Sequence, residues 1–251
     1  IKVDGDTIRC WKNSHGHETL AQGLQNSCNP VFVQLALRLG TERLYQYLSA
    51  FGLGRATGVD LPGEGAGILI NSRYVKNVDL ARIGFGQSVA VTPIQMITAF
   101  SAVVNGGRLM KPHIVSAVLD SRGEIVQRTA AQVVAHPIRE ETSALMRELL
   151  EAVVEKGGGH NAYIEGYRVG GKTGTAQVYV DGKVSSTVHI GSFIGFAPAD
   201  NPRFAVLVIV DAANVPVDYG GTTAAPFARQ IIADTLDSLG YPRAGDSPGN
   251  P

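Results

Sequence analysis

Arg168-Val169-Gly170-Gly171-Lys172-Thr173-Gly174-Thr175-Ala176-Gln177 is the stretch on which the fold turns, because it admits two incompatible readings. Extended back to Gly166, it satisfies the phosphate-loop pattern Gly-x-x-x-x-Gly-Lys-Thr letter by letter. Val206 to Val210 followed by Asp211 imitates the magnesium-binding strand end of such proteins. A phosphate loop must follow an apolar strand and open a helix, since the helix N-terminus and successive amides bind the phosphates. Neither condition is met. Residues 157–165 are the polar run Gly-Gly-Gly-His-Asn-Ala-Tyr-Ile-Glu, and Thr173 is followed by Gly174, β-branched alternation and the turn pair Asp181-Gly182. The stretch therefore reads as a strand that carries a site, and a phosphate-loop NTPase is the remote alternative.

The alternation of Lys172 to Val180, the hairpin pair Asp181-Gly182, and the runs Thr187 to Ala197 and Phe204 to Ala212 predict an antiparallel meander. The segment from Ala224 to Leu239 places Phe227, Ile231, Ile232, Thr235 and Leu239 on one helical stripe, suited to covering a sheet face. Upstream, Leu145, Met146, Leu149, Leu150, Val153 and Val154 form a wide apolar stripe closed by Lys156 and three glycines. Thr92-Pro93 opens a helix with Ile94, Ile97, Thr98 and Ser101 on one face, and Gly106-Gly107 stops it. Helical spacing predicts two more short helices, one from Asn29 to Leu39 ending at Gly40 and one through Leu44, Tyr45, Leu48 and Phe51. Residues 54–71 read as a Gly-rich surface loop, and 108–119 with 124–128 as a hairpin around Asp120-Ser121-Arg122-Gly123. The class is α+β, an antiparallel sheet with flanking helices. The expected organisation is one domain over 1–243 and a disordered tail over 244–251.

Lys plus Arg and Asp plus Glu both number 22, so no global field favours nucleic acid or an anionic membrane. No apolar run is long enough to span a bilayer. The two cysteines, Cys10 and Cys28, show no metal spacing and define no disulfide framework; Cys28 is expected to serve packing. His15, His17 and Glu18 crowd within four residues, but no further ligand stands at a recognisable spacing, and a polar loop is expected there.

On the strand reading, Lys172 supplies a positive charge beside a cleft, the Thr173 hydroxyl can bond a substrate carboxylate, Gly174 removes a side chain where substrate approaches the backbone, and the Thr175 amide can face an oxyanion. A lone Lys-Thr-Gly is a weak signal. It gains meaning beside Ser27-Cys28-Asn29 at an apparent helix start, where Ser27 is also a natural N-cap.

In order, these two motifs match Ser-x-Asn and Lys-Thr-Gly of penicillin-binding proteins and serine β-lactamases. Leu24 to Phe32, Gly84-Phe85-Gly86-Gln87 through Val91 to Gln95, Phe193 to Pro198, and Gly220-Gly221 to Pro226 resemble the transpeptidase domains of class B penicillin-binding proteins of the cell-division and sporulation type. The resemblance covers essentially the whole chain. It implies the penicillin-binding protein and serine β-lactamase-like fold, and a peptidoglycan D,D-transpeptidase working by serine acyl transfer at the outer face of a bacterial cytoplasmic membrane. The partners it implies are the D-Ala-D-Ala stem peptide and β-lactams, and it implies no metal or organic cofactor. Ser27, Asn29 and Lys172 would be catalytic, with Thr173, Gly174 and Thr175 binding substrate.

The family's first motif, Ser-x-x-Lys, is missing, since no serine here has lysine three places on. The expectation is a C-terminal part of the domain, truncated ahead of the nucleophile, anchored through a segment outside this chain, and inactive alone. Apolar surface left by that segment would need another cover, a second copy being one. A catalytically silent β-lactam-binding or scaffold module is the alternative, and a β-lactamase or carboxypeptidase shares the motifs.

Overall fold

The strands β1 (Lys2–Val3) and β2 (Asp6–Thr7) pair antiparallel ahead of helix α1 (Leu20–Gln25) in the computed structural model, which describes residues 1–12, 14–180 and 183–244. Thr19 caps α1: its Oγ1 accepts from the Gln22 amide, while the Gln22 side chain accepts from the Thr19 amide. Helix α2 (Asn29–Ala50) is broken at Gly40, whose φ of 73° no helix uses, so the two expected helices are its two arms. There follow β3 (Ile68–Leu69), α3 (Asn77–Gly84), β4 (Val89–Ala90), α4 (Pro93–Val104), β5 (Leu109–Met110), β6 (Ala117–Leu119), β7 (Ile125–Arg128), β8 (Val133–Ala135) and α5 (Glu140–Lys156). The chain continues through β9 (Gly170–Val180), β10 (Lys183–Ala197), β11 (Phe204–Asp211), α6 (Gly220–Thr223) and α7 (Ala225–Ser238). Two compact units result, Ile1–Gln34 with Ala144–Pro251, and Leu35–Ser143. The turn pair Asp181-Gly182 and the tail from residue 245 lie outside the described residues.

In the first unit the meander is present as an antiparallel sheet in the order β11-β10-β9, with Phe193 opposite Thr173 on one side and Val208 on the other. The sheet belongs to an α+β architecture, as the sequence implies. Its core gathers Val154, Ile164, Val169, Phe193, Ala224, Ala225, Ala228, Ile232 and Leu236. Burying a side chain such as Ile232 or Leu236 is worth about 1.5–3 kcal/mol. The stripe expected on the last helix is corrected by one step of rotation. Phe227, Ile231 and Leu239 are exposed, whereas Ala225, Ala228, Ile232 and Leu236 are buried. Alanines at the start of α7 let its backbone come close to the sheet, and this close packing outweighs the larger apolar area of Phe227.

In the second unit the expected Thr92 cap is formed, with Pro93 in the first turn of α4. The buried face is again displaced: Gln95, Ala99 and Ala102 are buried, and Ile94, Ile97, Thr98 and Ser101 are half-buried. Gln95 explains this. Its Nε2 donates to Arg55 O at 2.7 Å and Ala66 O at 2.9 Å, and its Oε1 accepts from the Thr92 amide at 2.9 Å, so a fully satisfied amide pins the Gly-rich loop. The hairpin β6–β7 forms around Asp120, whose Oδ1 accepts from the amides of Arg122 and Glu124. The strand expected over 108–119 is divided instead into β5, paired with β8, and β6. Pro112 offers no ladder donor, and the Ile114 and Val115 amides donate to the Asp60 carboxylate at 2.7 and 2.9 Å.

Candidate active site

Lys172 lies within β9, opposite Ile194 of β10, so its backbone is part of a ladder and opens no helix. The phosphate-loop reading fails on this geometry, because the residues after Lys172 continue the strand instead of opening the helix whose N-terminus would bind the phosphates. Among the described residues β9 is the free edge of its sheet, which places Lys172, Thr173, Gly174 and Thr175 at an accessible margin.

The side chain of Lys172 crosses to the loop between α1 and α2. Its Nζ donates to Ser27 Oγ at 2.8 Å and to Thr173 O at 2.9 Å. Ser27 holds a left-handed φ of 51° at this turn. The turn is braced by the Cys28 amide donating to Gly23 O at 2.9 Å, and by the Gly158 amide donating to Gln25 O at 3.0 Å. The triple glycine after α5 thus does more than stop a helix: a Cβ on Gly157 would stand 2.6 Å from Gln25 O. Removal of the Lys172 ammonium from water pushes its pKa down to about 8. Because the ammonium donates to Ser27 Oγ, the Ser27 hydroxyl proton points elsewhere. Lys172, Ser27 and an outside acceptor can therefore pass a proton in sequence.

Thr175 Oγ1 accepts from the Gly220 amide at 3.2 Å, which ties the start of α6 to β9 and leaves the hydroxyl proton for an acceptor. The Thr173 side chain lies between Gly158 and Gly221. Gly174 also has a packing reason: a Cβ there would stand 2.5 Å from Ser192 Oγ, its cross-strand partner. Asn29 Nδ2 donates to Arg9 O at 3.1 Å near the surface, so this side chain is not joined to the Lys172–Ser27 pair. Cys28 is buried, and burial first, then the neighbouring Glu18 carboxylate, push its thiol up to about 12; it is no nucleophile.

Two groupings escaped the sequence reading. His189 Nδ1 lies 2.8 and 2.9 Å from the two Asp218 oxygens, and the His189 amide donates to Asp218 Oδ2 at 2.9 Å. This fixes the approach to α6 against β10. Burial alone would raise the Asp218 pKa, but the hydrogen bonds from the His189 side chain and amide outweigh it and hold the carboxyl below its usual range. The second grouping is Cys10, His15 and Cys28, whose ligand atoms lie within 4.8 Å of one another. The residues of both groupings are far apart or irregularly spaced in the chain, which is why pattern alone did not join them.

Residues 1–233 match the family model for the penicillin binding protein transpeptidase domain. The chain belongs to this transpeptidase family. The domain is 49% identical over 241 residues to stage V sporulation protein D of Bacillus subtilis, covering 95% of this chain and 37% of that protein. It is 31% identical over 262 residues to penicillin-binding protein PbpB of Mycolicibacterium smegmatis, covering 100% of this chain and 40% of the relative. The crystal structure of penicillin-binding protein 3 from Mycobacterium tuberculosis complexed with ampicillin superposes with a TM-score of 0.88 at 30% identity, over 100% of this chain and 57% of that one. This transpeptidase domain thus spans about two fifths of the length of these curated relatives, and its fold is that of the penicillin-binding proteins. Among the described residues no helix is long and apolar enough to cross a membrane.

Proposed function

We propose that this chain supplies part of the acyl-transfer site of a peptidoglycan D,D-transpeptidase, with residues 1–243 belonging to one such domain. The single observation that carries the reading is the 2.8 Å hydrogen bond from Lys172 Nζ to Ser27 Oγ, made by a lysine whose pKa is about 8. With that value, on the order of a tenth of Lys172 is neutral at pH 7, so the group can both give and take a proton.

In the proposed reaction a serine of the Ser-x-x-Lys type, which these 251 residues do not contain, gives its proton to that motif's lysine as it attacks the D-Ala-D-Ala carbonyl, and takes it back when the acyl group is passed on. Lys172 passes a proton to Ser27, and Ser27 passes its own to the departing D-alanine nitrogen. The reverse transfer accepts the proton of the incoming stem-peptide amine when the cross-link forms. Thr173 and Thr175 hydroxyls hold the substrate carboxylate, the Thr175 amide faces the developing oxyanion, and Asn29 turns from Arg9 to the substrate amide. The same arrangement would take up a β-lactam, a reading supported by the complex of penicillin-binding protein 3 from Mycobacterium tuberculosis with ampicillin. The setting is the outer face of a bacterial cytoplasmic membrane, and kinship with stage V sporulation protein D supports a role in sporulation.

The test is the intact mass of the full-length parent and of this 251-residue chain after incubation with excess penicillin. An adduct on the parent alone supports serine acyl transfer with the nucleophile outside this chain. An adduct on the short chain overturns the residue assignment, and none on either favours a silent binding module.

A further inference from the structure

We propose that Cys10, His15, Glu18 and Cys28 form a binding site for a divalent cation of the zinc class, built from the loop ahead of α1 and the turn that follows it. Cys10 Sγ lies 3.2 Å from His15 Nδ1, and His15 Nδ1 lies 4.0 Å from Glu18 Oε2. The ligand atoms of Cys10, His15 and Cys28 all fall within 4.8 Å of one another. Ligands on a tetrahedral zinc ion, with bonds of about 2.0–2.3 Å, stand roughly 3.3–3.8 Å apart, so small side-chain movements suffice to enclose an ion.

Glu18 is the second, independent observation. Its side chain is 4% exposed, its Oε1 accepts from Asn26 Nδ2, and its Oε2 is buried with no well-formed hydrogen bond, only the Cys28 thiol and the His15 ring standing beside it. A buried carboxylate oxygen left unpaired is costly, and buried polar groups are otherwise almost always satisfied. A cation among the two sulfurs and the imidazole would satisfy it. Two cysteines, a histidine and a carboxylate make a mixed soft and borderline set that suits zinc better than calcium or magnesium, which prefer oxygen alone. Asn26 fixes the Glu18 carboxylate, and Trp11 packs 5.8 Å from the His15 ring while its Nε1 donates to Asn26 O at 2.9 Å, so the ligands have an orienting outer shell.

The site bears on its neighbours, because Cys28 stands between Ser27 and Asn29 and Cys10 follows the Arg9 carbonyl that Asn29 contacts. A bound cation would brace the turn that presents Ser27 to Lys172. Cation binding stands independently of the acyl-transfer reading. Binding replaces the thiol protons, which pass to solvent.

The experiment uses this full chain, purified under reducing conditions, stripped of metal and titrated with Zn2+ and with Co2+. The expected result is one equivalent bound, a cobalt spectrum with thiolate charge-transfer bands, proton release on binding, and a rise in melting temperature with Zn2+. Cys10→Ser and Cys28→Ser should abolish the charge-transfer bands one sulfur at a time, and Asn26→Ala should weaken binding about 10–100-fold. Circular dichroism without metal separates lost binding from lost folding. His17→Ala, outside the cluster, should bind as the parent does. No cobalt thiolate bands in a folded, reduced chain would overturn the proposal, as would equal binding by the Cys10→Ser/Cys28→Ser double variant. A Cys10–Cys28 disulfide in the chain as isolated, with no uptake of metal after reduction, would also overturn it.

Discussion

Lys172 Nζ and Ser27 Oγ are 2.8 Å apart although 145 residues separate them in the chain. The lysine comes from β9, the last strand of the sheet among the described residues, and the serine from a left-handed turn held by backbone bonds to Gly23 and Gln25. Each partner is fixed by its own element before the two meet, so the pair is preorganised. Replacing Ser27 by Ala in the full-length parent should slow acylation by a penicillin about 10²–10⁴-fold while leaving the fold intact. Rates of covalent labelling by a fluorescent penicillin, with circular dichroism as control, measure this; an unchanged rate would remove Ser27 from the proton path.

Lys172 costs stability at neutral pH. Its folded pKa of about 8 lies below its ordinary value of 10.5, because burial disfavours the charged form. Between these values the unfolded chain holds a proton that the folded chain has lost, so stability rises with pH across that window. Below pH 8 the penalty is complete, on the order of 3 kcal/mol at most from a shift of this size. Lys172→Met should therefore raise the midpoint of urea unfolding at pH 7 yet abolish acylation in the parent. The stability gap between variant and wild type should close as pH approaches 10.5. A gap that does not depend on pH would mean that the ammonium is well solvated.

Much of this architecture is legible in the sequence because local signals agree with the global fold. Thr92-Pro93, the Gly40 break and the alternation after Lys172 each name their element with a local physical cause. The face of a helix was less legible. On α7 and α4 the small residues Ala228 and Ala99 are buried, with Ile231 exposed and Ile97 half-buried, since the partner's shape, not hydrophobicity alone, selects the face. Lys172 and Ser27 were identified through motif resemblance, whereas the cluster of Cys10, His15, Glu18 and Cys28 has no recognisable spacing. Those side chains converge only through the capped turn at Thr19 and the packing of Trp11. His189 and Asp218 meet only once β10 and the approach to α6 are in place.

Gly174 and Ser192 face each other across β9 and β10, and a methyl group on the first would overlap the hydroxyl of the second at 2.5 Å. Gly174→Ala should destabilise the chain by about 1–3 kcal/mol, the usual cost of overpacking. The same change made in a Ser192→Ala background should cost much less, because only the hydroxyl is in the way. Chemical denaturation of the four members of this double-mutant cycle gives the coupling energy. Additive effects would show that Gly174 is required for another reason, such as the approach of substrate.

Asp218 should release the loop before α6 when it takes up a proton. Its folded pKa is depressed, so the stability that it contributes is present above the ordinary aspartate value and is lost as pH falls through the folded one. Hydrogen exchange at the His189 amide, which donates to Asp218 Oδ2, should be protected at neutral pH and lose protection in acid before the rest of β10 does. Asp218→Asn should remove that protection at neutral pH as well, since the amide oxygen accepts more weakly than a carboxylate and the paired contact with His189 Nδ1 is weakened. Exchange at His189 that follows the rest of β10 at every pH would show that the ladder alone holds this amide.

Gln95 is the polar centre of the second unit, 1% exposed and bonded through both ends of its amide. Gln95→Leu preserves bulk but leaves Arg55 O, Ala66 O and the Thr92 amide without that partner. Each buried group deprived of its bond costs about 1–3 kcal/mol, so a total near 3 kcal/mol is expected after partial relaxation. The loss should concentrate in the loop over residues 54–71, which Gln95 holds against α4. Proteolysis under native conditions should cut that loop first in the variant, with denaturant unfolding giving the total. Gln95→Glu discriminates further, because at neutral pH it replaces the two Nε2 donations by an anionic oxygen facing the Arg55 and Ala66 carbonyls. That variant should be less stable than Gln95→Leu at pH 7 and recover as the carboxyl is protonated in mild acid. Equal stability of the two at all pH values would show that the loop carbonyls find other donors, and that Gln95 fills space without anchoring the chain.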